Sequence, residues 1–95
     1  MQNVNFKELN PAFPFRGGKI SIQASEFHYS TPKADNGPYT QYEVGAWDTD
    51  GHWLKLPELR EDNQDSVYGY IDKDKVVSLL KSDGYSDNQI KNILP

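Results

Sequence analysis

Ser66–Gly84, SVYGYIDKDKVVSLLKSDG, decides the fold, because it reads as one short strand passing through a tight turn into one amphipathic helix. Val67, Gly69 and Ile71 alternate with Tyr68 and Tyr70, the period of two expected of a strand with one apolar and one aromatic face. Asp72 stands where a helix N-cap belongs, and Asp74 in the first turn meets the positive end of the helix dipole. Val76, Val77, Leu79 and Leu80 then form one apolar stripe. Lys81 falls in the last turn and Gly84 offers the left-handed residue that ends a helix.

A second helix is predicted directly afterwards, since Ser86-Asp87-Asn88-Gln89 is a capping box and Ile90, Ile93 and Leu94 repeat the apolar side. Burying these stripe side chains yields about 1.5–3 kcal/mol each, against about 1–2 kcal/mol per residue for ordering the backbone. Neither helix persists alone on those terms. Both require a sheet to dock on, and the rest of the chain must supply it.

Upstream, Lys19 to Ser30 reads as a first strand, with Ile20, Ile22 and Ala24 on one face and a shift to Phe27 and Tyr29 that suggests a bulge near Ser25-Glu26. Thr31 to Pro38 is a polar connection. A second strand runs from about Tyr39 to Trp47, with Tyr42, Val44 and Ala46 opposite Gln41, Glu43, Gly45 and Trp47. Asp48-Thr49-Asp50-Gly51 turns the chain into a third strand, His52 to Leu56, with Leu54 and Leu56 inward. Pro57 to Asp65 is a charged loop. The expectation is an α+β single domain over 1–95. Residues 1–18 form an irregular arm anchored by Phe6, Phe13 and Phe15, 19–71 a small, mainly antiparallel sheet of about four strands, and 72–95 two helices on one face.

Composition narrows the function classes. Ninety-five residues suit one modest core. The absence of cysteine removes disulfides, thiolate metal sites and thiol nucleophiles. No apolar run approaches the length needed to span a membrane and the N-terminus lacks a leader pattern, so the expected location is the cytoplasm. A formal net charge of −4 argues against a general electrostatic grip on nucleic acid.

Chemistry-bearing motifs are sparse. Asp48-Thr49-Asp50-Gly51 is reminiscent of a calcium loop, but aligning Gly51 with the loop glycine puts Pro57 where the closing glutamate belongs. His28 and His52 are the only histidines, and nothing in their spacing joins them at a metal. No nucleophile elbow or phosphate-binding glycine loop is present. The expectation is a chain without catalysis, metal or cofactor. The aromatic residues Tyr39, Trp47, Trp53, Tyr68 and Tyr70 carry more information, because on the face opposite the helices they would form a partner-binding surface of the kind that holds binding hot spots. Glu61, Asp62 and Asp65 would give it an acidic rim. The alternative is that the N-terminal phenylalanines cover this face as part of the core.

The run ASEFHYSTPKADNGPYTQYEVGAWDTDG, followed by LPELREDNQDSVYGYIDKDKVVSLLKSDG, resembles small proteins from tailed-phage and prophage genomes. In these, a GPY…EVG segment precedes an acidic loop, VYGYV and a helix with a His-Gly-Gly-like stop. The likeness spans Ala24 to Gly84. It departs at Ile71-Asp72, where the family tends to have Val-Pro, and at Asp83-Gly84-Tyr85. The resemblance implies a phage or prophage origin and brings no catalytic residues. With the composition, it leads to the expectation of a small protein that binds and inhibits or modulates a host protein, such as a component of an anti-phage defence system. The alternatives are an assembly protein acting as an oligomer and, third, nucleic-acid binding.

Overall fold

The computed structural model describes residues 10–60 and 67–95, and among these the chain is an α+β fold. Four strands, β1 (Phe13–Phe15), β2 (Gly18–Gln23), β3 (Gln41–Trp47) and β4 (Tyr68–Asp72), precede two helices, α1 (Lys73–Ser82) and α2 (Asp87–Ile93). The sheet is an antiparallel meander in the order β1-β2-β3-β4. Both helices lie on one face, where Ile20, Ile22, Tyr42, Val44 and Ala46 of the sheet meet Val76, Leu79, Leu80, Ile90 and Ile93.

The helix termini follow the local chemistry of the sequence. Ser86 Oγ accepts the Gln89 N–H while Gln89 Oε1 accepts the Ser86 N–H, completing the capping box. At the end of α1 the Gly84 N–H donates to Lys81 O and the Tyr85 N–H to Leu80 O, a Schellman motif that needs the positive φ of 93° at Gly84. Asp72 is the N-cap of α1, but its carboxylate caps nothing and instead accepts Gln41 Nε2 at 2.9 Å. The Lys73 N–H is taken by Thr40 O.

Several strands differ from those expected of the sequence. Residues 13–15 are not irregular but form edge strand β1, with Phe15 in the core and Phe13 packed against it. Phe6 lies outside the described residues. The first long strand stops at Gln23, and Ser25 to Ser30 fold into a turn held by the Ser25 and Ser30 hydroxyls. His52 to Leu56 is not a full strand: it pairs through a bridge between Trp53 and Trp47, with the Asp48 N–H donating to His52 O and the Leu54 N–H to Ala46 O. Its continuation sinks Leu56 and Leu59 into the core, where the Leu56 N–H donates to the buried Tyr68 hydroxyl at 2.9 Å.

The decisive departure is in β4. Tyr42 pairs with Ile71 and Val44 with Tyr68, so one residue of β3 faces two of β4, Gly69 and Tyr70. This is a β-bulge, with Tyr70 at a φ of 55°. The extra residue breaks the period of two. Tyr68 and Ile71 therefore both point into the core, whereas Val67 and Gly69 lie against the opposite face.

Candidate functional surface

The outer sheet face is built from the β3 residues that alternation turns away from the helices: Gln41, Glu43, Gly45 and Trp47. Two of its features depend on glycine. At Gly45 a Cβ would stand 2.9 Å from Trp53 Cζ3 and 3.2 Å from Val67 Cγ1, so the absent side chain is what seats the Trp53 indole on the sheet. At Gly69 a Cβ would stand 2.9 Å from the Cβ of Tyr29, and its absence lets Tyr29 close onto the bulge.

Two aromatic pairs result. Trp47 and Trp53 meet edge to face with centroids 6.1 Å apart, and Tyr29 and Tyr70 are tilted by 40° at 5.8 Å. Trp53, Tyr70, Tyr29 and Phe27 remain 42%, 47%, 49% and 60% exposed. The bulge is fastened on both sides, as the Tyr70 N–H donates to Tyr29 O at 2.8 Å and Arg60 Nη2 donates to Gly69 O at 2.8 Å. Glu43 Oε2 accepts the Tyr29 N–H, and Lys33 Nζ lies 4.8 Å from the Tyr29 ring centroid.

The aromatic residues expected from sequence divide. Trp47, Trp53 and Tyr70 lie on the outer face. Tyr68, 1% exposed, is a core residue, because the bulge turns it inward. Tyr39 is buried beside Tyr42 with its hydroxyl donating to Ala34 O, so it is not part of the surface either. Glu61, Asp62 and Asp65 lie outside the described residues. Phe13 and Phe15 pack with the helix-side core and do not cover the outer face. Tyr29, Phe27 and Lys33 were missed, although aromatics set among Ser25, Glu26, His28 and Ser30 in a turn are themselves a sign of exposure.

Two other clusters have local explanations. Asp48, Asp50 and His52 offer ligand atoms within 4.8 Å of one another. Asp48 Oδ1, however, accepts the N–H groups of Asp50 and His52, and these bonds, His52 first, hold its carboxyl below the usual aspartate range. The turn accounts for that arrangement without an ion. Ser25 Oγ lies 2.6 Å from His28 Nδ1, but Ser25 is 1% exposed and its hydroxyl also accepts the Phe27 N–H, which makes it a turn lock rather than an accessible nucleophile. No protein-family model, curated protein or solved structure matches the chain.

Proposed function

We propose that this chain is a non-enzymatic binding protein that docks its outer sheet face onto a host protein and inhibits or modulates it, as the likeness to small phage proteins suggests. The observation that carries the reading is the set of aromatic side chains exposed on the sheet face opposite the helices among the described residues. Tyr29, Trp53 and Tyr70 each keep about half of their surface in water, Tyr29 paired with Tyr70 and Trp53 with Trp47, and exposed Tyr and Trp are the residue types that dominate binding hot spots.

The test is affinity capture from a bacterial lysate with the wild type, Trp53→Ala and Tyr70→Ala, followed by reconstitution with the purified captured protein. A host protein held by the wild type, lost from both variants and bound again by purified components supports the reading. A wild-type protein that instead assembles into a closed oligomer through this face, with no host protein retained, replaces it with the assembly alternative.

A further inference from the structure

Resting on that protein-binding reading, the next question is what the partner presents to the surface. The two aromatic pairs are chemically unlike. Around Trp47 and Trp53 the surface is indole over glycine, suited to an apolar anchor. The other pair is two half-exposed tyrosine rings, and a half-buried carboxylate, Glu43, accepts the Tyr29 backbone N–H through Oε2 at 3.2 Å. Among the described residues no lysine or arginine lies within ion-pair distance of Glu43. The electron-rich ring faces and this carboxylate are each groups that attract a cation. The chain already supplies one, since the Lys33 ammonium sits 4.8 Å from the Tyr29 centroid.

We propose that the Tyr29–Tyr70 pair receives one cationic side chain, an arginine or lysine of the partner protein, and that Lys33 holds its place in the unbound chain. Charge complementarity selects this occupant. A net charge of −4 over the whole chain disfavours a phosphate backbone and favours a basic protein surface. The bulge fixes the receptor before binding, as the Tyr70 N–H to Tyr29 O bond ties the two residues together. A guanidinium entering here exchanges one cation–π contact for another and gains Glu43 as a counter-charge.

The experiment titrates the protein with a short arginine-bearing peptide and with the same peptide carrying uncharged citrulline, followed by the ring signals of Tyr29 and Tyr70 in aromatic proton–carbon NMR. The expected result is a saturable shift of both rings with arginine alone, kept in Tyr29→Phe and lost in Tyr29→Leu. Lys33→Gln, which removes the competitor, should tighten binding about two- to fivefold, the equivalent of one exposed cation–π contact. Equal shifts with citrulline, shifts confined to the His52 ring beside Asp48 and Asp50, or unchanged affinity in Lys33→Gln would overturn the proposal. So would a response of the rings to a single-stranded oligonucleotide and not to the peptide. Should a partner be held through Trp53 while the arginine peptide leaves the tyrosines unmoved, this inference falls and the protein-binding reading stands. If the rings answer arginine but no host protein is retained, the reverse holds.

Discussion

Replacing Gly69 with alanine tests whether the aromatic face depends on close approach at the bulge. The new Cβ would lie 2.9 Å from Tyr29 Cβ, 3.3 Å from its Cγ and 3.4 Å from its Cδ2. Carbon atoms pack at about 3.5–4.0 Å, so Tyr29 must retreat by about 0.5–1 Å. Rotating the ring gives no relief, because the nearest atom is fixed to the backbone. The backbone is itself tied by the 2.8 Å bond from the Tyr70 N–H, which a retreat of that size stretches beyond ordinary hydrogen-bond length. Whether the site strains or relaxes, the cost is about 1–3 kcal/mol, and each kilocalorie lowers the melting temperature of a domain this size by about 4–8 °C. Gly45→Ala is the control. There the 2.9 Å contact is with Cζ3 at the far end of Trp53, which can swing away, and the loss is about 1 kcal/mol, the worth of an edge-to-face pair. Urea denaturation of both variants, with NMR of the Tyr29 ring, measures the difference. If Gly69→Ala is no less stable than Gly45→Ala, or leaves the Tyr29 signals in place, the reasoning is wrong.

Tyr70→Asn should leave stability within about 1 kcal/mol of wild type, because asparagine tolerates the left-handed backbone while the Tyr29 ring contact is lost. The same variant should lose the partner, and chemical denaturation beside a binding assay separates the two effects. Asn10→Ala removes the amide that bonds Ile22 O at 3.1 Å and Ile93 O at 2.6 Å, and should cost about 1–3 kcal/mol in a urea melt. Ser86→Ala breaks the capping box and should cost about 1 kcal/mol, with faster amide exchange confined to α2. The hydrogen bond from Arg16 lowers the Glu58 pKa, so the stability Glu58 contributes is complete at neutral pH and lost as pH falls through its lowered value. An NMR titration should find Glu58 returning upward in Arg16→Ala, and an unchanged titration would rule the pairing out.

The parts of the fold that sequence reveals are those whose cause is local. The capping box at Ser86, the stop at Gly84 and the alternation of Tyr42, Val44 and Ala46 depend on neighbours within a few residues, and each appears in the structure. β1 does not, because three residues containing Pro14 become a strand only when β2 provides the partner. Asp72 has the composition of a cap, yet the chain-distant Gln41 claims its carboxylate. For the site, Trp47, Trp53 and Tyr70 were legible from their residue type beside strands. Tyr68 was not, since a single inserted residue in β4 turns it into the core and no count along the sequence reveals it, and Tyr39 was not, since its burial comes from packing beside Tyr42 and bonding Ala34 O ahead of β3. Tyr29 reaches the surface through its contact with Gly69, forty positions away, which only the fold brings about.

That bulge also limits how a partner can approach. A sheet can bind a protein by adding a strand at an edge or by presenting a face. Here β1 offers an edge of three residues, with a proline at its centre whose carbonyl accepts the Tyr85 hydroxyl. The other edge belongs to β4, where Arg60 takes the Gly69 carbonyl and Tyr29 takes the Tyr70 N–H. Pro14 O, Gly69 O and the Tyr70 N–H are thereby withheld from an incoming strand. With the inner face filled by α1 and α2, the proposed docking falls to the outer face and its side chains. The left-handed backbone at Tyr70 contributes twice, offering its N–H to Tyr29 O rather than to an added strand and holding its ring against Tyr29, where the proposed cation would meet both.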